Sequence, residues 1–216
     1  MNNKIKSFFN GISVREMFST RKLVHTALFV SLGIILPLAF HAVPRAGAIF
    51  LPMHIPVLLC GIICGFPLGL LCGIMTPILS SMLTSMPATA MLPSMICELA
   101  VYGTVIAAMW RFLPVKNFYV KTYASLIGAM LCGRATYGIL NALIFKAGNY
   151  SASIWLTAAF ATSLPGILIQ LVAIPAILIA LHKARLFDFN IKPKEKPADT
   201  QTSENGEPDE VGVLPK

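Results

Sequence analysis

Apolar residues run through this chain in long stretches, broken only by short clusters of Pro, Gly and charge. The stretches are apolar all round, which excludes an ordinary amphipathic bundle in water. Six of them approach the roughly 20 residues that a helix needs to cross a bilayer: Leu23–Val43, Ala48–Gly65, Leu68–Ser85, Leu92–Met109, Val120–Phe145 and Ile154–Leu181. Short connections make consecutive helices antiparallel neighbours. The pattern predicts an all-α integral membrane protein, a compact bundle of six transmembrane helices over residues 23–185. Residues 1–22 mix Ile5, Phe8, Phe9, Ile12 and Phe18 with basic side chains, as a cytoplasmic, interfacial segment does. After Asn190 the chain turns to Lys, Pro, Glu, Asp, Ser and Thr, so residues 186–216 are expected to form a disordered cytoplasmic tail.

Composition agrees with a lipid solvent. Of the 216 residues, 56% are hydrophobic and only 12% charged, and the mean hydropathy is +0.74; a soluble domain of this size carries more charge. The net charge of +8 alone would suit nucleic acid, but its distribution does not. Only Glu98, among nine acidic residues, falls between Met17 and Phe187, and the basic residues gather at both ends and around Arg111–Lys121. With six spans, nearly all Lys and Arg fall on one side and only Arg45 and Lys146 on the other, which places both termini in the cytoplasm. Leu23–Phe40 exceeds a signal-peptide core and is followed by further spans, so it reads as a retained first helix. Cys60, Cys64, Cys72, Cys97 and Cys132 lie in apolar runs without a close CxxC pair. They read as small packing residues, with no metal site or disulfide framework implied.

Small residues mark close helix approach. Gly61, Gly65, Gly69 and Gly73 recur every fourth residue around Pro67, and are expected to let two helices meet at a tight hairpin. Ala27 and Ser31 form a small-xxx-small pair in the first span, directly after Thr20–Thr26 (TRKLVHT). That segment resembles the first helix of the energy-coupling-factor (ECF) transporter S components, the substrate-specific subunits of vitamin importers. Leu51–Val57 (LPMHIPV), Thr76–Ser81 (TPILSS) with Met86-Pro87, Cys97–Gly103 (CELAVYG) and Leu164–Gln170 (LPGILIQ) followed by Pro175 are similar to later segments of one large S-component group. The resemblance covers about residues 20–185. It implies a six-helix subunit in a prokaryotic plasma membrane that binds a water-soluble vitamin or precursor. It also implies a coupling transmembrane subunit docking on Ala27 and Ser31, and two ATPase subunits as separate chains. The absence of a G-x-x-x-x-G-K-[ST] loop fits a non-enzyme without cofactor.

Each ionisable group at membrane depth needs a reason. Glu98 has Tyr102 one turn away, and Arg134 shares a helical stripe with Tyr137 and Asn141. Gln170 lies in the middle of the last span, below a break at Pro165-Gly166, and His54 near the outer end of the second, where with Arg45 it would line an entrance. Two readings of Glu98 and Arg134 remain open: an ion pair that fastens two helices, and a polar ligand pocket. Combined donors, acceptors and aromatic rings are what a small-molecule site requires. The main alternative function is a stand-alone proton-coupled secondary transporter of a small polar metabolite using Glu98. Six spans without a repeat between halves speak against it. An intramembrane serine protease lacks a nucleophile elbow and a base in reach.

Overall fold

Proline and glycine positions decide where the apolar stretches become helices. The computed structural model of the protein describes residues 18–39, 46–115, 117–145, 152–184 and 186. Every regular element among these residues is helical: α1 Thr20–Ala39, α2 Ala46–Phe50, α3 His54–Cys64, α4 Leu68–Thr84, α5 Leu92–Phe112, α6 Phe118–Leu140, α7 Ala152–Leu156 and α8 Leu164–Lys183. π-helical stretches follow α6 over Asn141–Phe145 and α7 over Thr157–Thr162. Helices α1, α5, α8 and α6 extended to Ile144 are long and apolar enough to cross a membrane; α3 and α4 are shorter apolar helices.

Two expected spans prove discontinuous. Ala48–Gly65 is broken where α2 ends at Phe50, Leu51 adopts a φ of 50°, and α3 starts only at His54. Pro52 is the cause: it has no N–H for the helical ladder and disfavours a helical residue before it. Pro56 falls in the first turn of α3, where its missing N–H costs no helical bond. Ile154–Leu181 is likewise interrupted at Ser163, before α8 restarts with Pro165 in its first turn. The third and fourth spans match α4 and α5 closely. Of the expected interfacial segment, only residues from Phe18 on are described, and almost all of the expected tail lies outside the described residues, as do Arg45 and Lys146.

Helix α1 packs on α3 and α4, α4 on α5, and α5 on α6, while α8 closes against α2, α3 and α6. The Cys64 thiol approaches the Lys22 carbonyl at 3.7 Å, setting the start of α1 beside the end of α3. Glycines set the tightest contacts. A Cβ at Gly69 would stand 2.6 Å from the Gly103 carbonyl oxygen, and one at Gly73 would stand 2.6 Å from the Leu99 carbonyl carbon. The expected hairpin contact therefore extends to a third helix, α5. Gly65 has another role, ending α3 with a φ of 77°. The buried core runs through Val57, Leu58, Leu68, Leu99, Ile106, Leu126, Ile174 and Leu178. Cys60, Cys64 and Cys72 are buried, as packing thiols are, whereas Cys97 is half-buried and Cys132 is exposed, against the expectation of a packing role.

Helix α1 turns Thr26, Phe29 and Gly33 inward. Its other face, with Val24, Ala27, Leu28, Ser31, Leu32 and Ile35, is exposed. Helix directions gather Arg21, Lys22, Arg111, Lys121 and Lys183 at one end of the bundle. There Lys121 lies over the Trp110 ring, 5.3 Å from its centroid.

Candidate ligand-binding site

Toward the opposite end, three helices converge on one carboxylate. Glu98 lies about 9 Å along α5 from its first residue, at 1.5 Å of rise per residue. Arg134 reaches it from α6, with Nη1 3.2 Å from Glu98 Oε1. His54, the first residue of α3, brings Nε2 to 3.8 Å from the same oxygen. The break at Leu51–Met53 makes this placement possible, since α3 begins at the depth of Glu98. His54 is fully buried, which corrects the expectation of a residue lining an entrance near the membrane edge.

Aromatic rings enclose the cluster. Tyr102, one turn beyond Glu98 on α5, is buried beside both Glu98 and Arg134. Its ring meets His54 edge to face, with centroids 5.1 Å apart. Gly133 on α6 makes room for it, because a Cβ there would stand 3.0 Å from Tyr102 Cε2. Tyr137 is half-buried next to Ser94 and within electrostatic range of Glu98 and Arg134. Asn141 is buried and donates to the Tyr137 carbonyl at 2.8 Å, so its amide serves the α6 end where the π-helical stretch begins. Gln170 is buried on the inner face of α8 with Gly166, Ile174 and Leu178.

Sequence reasoning missed Trp155. Its indole N–H donates to the Arg134 carbonyl at 3.1 Å, and its ring lies against Gly138. It was not conspicuous in the sequence, because a tryptophan near the end of an apolar stretch is ordinary in membrane proteins. Ser94 was missed because a serine in an apolar helix satisfies its hydroxyl locally, here on the Met91 carbonyl at 3.0 Å.

The hydrogen bonding of the cluster is incomplete. Among the described residues, seven buried side-chain polar atoms have no hydrogen-bond partner. Six belong to the cluster and to Gln170: both His54 nitrogens, Glu98 Oε1, Arg134 Nη2, and both ends of the Gln170 amide; the seventh is Ser125 Oγ. Glu98 and Arg134 thus touch through one atom each without an aligned hydrogen bond, instead of forming the two-bond fork that suits a buried structural pair. Unpaired buried polar groups are rare in folded proteins and each calls for an explanation. The donor set contains one carboxylate and one imidazole, and among the described residues no group of three or more His, Cys, Asp or Glu is arranged to hold a metal.

Ala27 and Ser31 lie apart from this cluster, on the exposed face of α1, and the Ser31 hydroxyl is satisfied by the Ala27 carbonyl at 3.0 Å. A family model described as ECF transporter, substrate-specific component, matches residues 21–178, a stretch that includes all of these residues. No curated protein and no solved structure matches the chain.

Proposed function

The chain belongs to the substrate-specific components of ECF transporters, and on that premise we propose that it captures a water-soluble vitamin or precursor in the Glu98–Arg134–His54–Tyr102 cluster. The observation that carries this reading is the imperfect ion pair. Charges buried only to hold two helices cost several kcal/mol of desolvation each and repay it when their hydrogen bonds are complete. Here Arg134 Nη2, Glu98 Oε1 and both His54 nitrogens are left without hydrogen bonds, so a ligand completes what the fold leaves open. Tyr137, Asn141 and Gln170 form the remaining polar lining in this reading.

The subunit crosses the membrane with both termini in the cytoplasm, supported by the basic residues gathered at one end. The coupling transmembrane subunit docks on the exposed face of α1 at Ala27 and Ser31, and two ATPase subunits supply the energy.

The test combines stability with binding. Glu98→Gln or Arg134→Met alone strands a charge and is expected to cost about 3–5 kcal/mol of stability. The double variant removes that penalty and should unfold at a higher temperature than either single variant. It should nevertheless bind the molecule identified by mass spectrometry on the purified native chain at least about tenfold more weakly, the loss of one charged hydrogen bond. Native affinity in the folded double variant would reduce the pair to a helix fastener.

A further inference from the structure

We propose that the ligand of this site is an uncharged, planar heterocycle with a lactam edge, a ring N–H donor beside a ring C=O acceptor. The inference rests on the ligand-binding reading above and narrows its chemistry. Charge comes first. Among the described residues, Glu98 and Arg134 are the only Asp, Glu, Lys or Arg that are buried, and at 3.2 Å they cancel; His54, 3.8 Å from the same oxygen, adds a charge only when protonated. An organic anion on Arg134 would bring a second negative charge against Glu98. A lone ammonium on Glu98 would do the same to Arg134. In a desolvated interior, like charges at contact distance repel strongly. A zwitterion balances the sum but adds two more ions stripped of water to a place that already holds two. An uncharged ligand avoids both penalties.

The hydrogen-bond inventory points the same way. An ionised Glu98 only accepts and Arg134 only donates. Oε1 and Nη2 belong to the same ion pair, and each lacks a hydrogen bond, so the pair presents one acceptor and one donor. A lactam offers the complementary donor and acceptor, adjacent and in one plane. Gln170 repeats the motif, with an unpartnered amide on α8, the helix that packs against both α3 and α6. The surrounding rings favour a flat partner. His54 and Tyr102 meet edge to face, and the Trp155 indole is fixed to the Arg134 carbonyl.

The purified full-length chain in detergent is titrated with uracil, hypoxanthine and pterin. The comparison ligands are 1,3-dimethyluracil, in which both ring N–H donors are methylated, β-alanine as a zwitterion, and succinate as a dianion. At least one lactam should bind, and dimethyluracil should bind at least about tenfold more weakly than uracil, the loss of one hydrogen bond to a charged group. The lactam should also lose about tenfold or more on the Glu98→Gln/Arg134→Met variant, with folding verified by thermal unfolding. Tighter binding of β-alanine or succinate, lost in that variant, would overturn the lactam class and leave the site standing. Lactam binding unchanged in the folded variant would overturn the site and the class together. Failure of every lactam to bind would overturn the class.

Discussion

Gly138 carries a hydrogen where any other residue would place a Cβ 2.7 Å from Cδ1 of Trp155. Alanine in a helix interior gains about 1 kcal/mol over glycine, whereas overpacking costs about 1–3 kcal/mol. The indole sits on a five-residue helix, so the conflict is expected to be relieved by moving Trp155, with little net change in stability. Gly138→Ala should then break the indole bond to the Arg134 carbonyl and shift Trp155 emission to longer wavelength, read in a Trp110→Phe background. Unchanged emission would show that the indole is not held there. Legibility at this scale follows cost. Glu98 and Arg134 were conspicuous because a charge within an apolar run is expensive, and Tyr102 followed from its i+4 spacing. Trp155 and Ser94 give no such signal. His54 was legible as a candidate but not as a buried member of the cluster, because its depth depends on a helix break that hydropathy does not register.

Helix packing separates positions that a glycine count treats alike. At Gly73 a Cβ would stand 2.6 Å from the Leu99 carbonyl carbon and 2.8 Å from the Ala100 nitrogen, backbone that cannot turn aside. Gly73→Ala is therefore expected to destabilise the chain by about 1–3 kcal/mol and to lower its unfolding temperature. Gly47→Ala, where a Cβ meets nothing within 4 Å, serves as the control. On α1 the expectation is reversed. Ala27 and Ser31 are exposed, so Ala27→Leu or Ser31→Leu should change the stability of the isolated subunit by no more than about 0.5 kcal/mol. Co-purification with the coupling subunit should fall while ligand binding survives; joint loss of folding and binding would place these residues inside the bundle. Four of the six expected spans were legible as single helices, since continuous apolar stretches give α1, α4, α5 and α6 with ends shifted by a few residues. The interruption at Ser163 was legible to within two residues as a break at Pro165-Gly166, whereas the one at Leu51–Met53 was not, although Pro52 stood in the sequence. A hydropathy average treats a proline in a span as one more uncharged residue.

The molecule as a whole is a receptor without a motor of its own in this reading. The purified chain should show no ATPase activity, and uptake in cells should require co-expressed coupling and ATPase subunits. Concentrative uptake by this chain alone, abolished by a proton uncoupler, would favour the carrier reading of Glu98 instead. At this scale the class of protein was legible from charge placement and hydropathy, and the meeting of α5 and α6 at Glu98 and Arg134 from their isolation in apolar runs, whereas the arrival of α3 at the same carboxylate was not, because its register depends on glycine contacts between distant segments. The interruption before α3 has one more consequence, for mutagenesis. Unwound backbone at membrane depth survives only when protein shields it or when it borders a cavity, and here Leu51, Pro52 and Met53 are buried, while Gly166 of α8 leaves only the space of a hydrogen over the Ile49 and Phe50 carbonyls. The depth at which His54 meets Glu98 is therefore set in part by main chain, beyond the reach of side-chain deletion. A screen that replaces every polar residue in turn would score this region as silent, though a single methyl group at Gly166 would press directly on it.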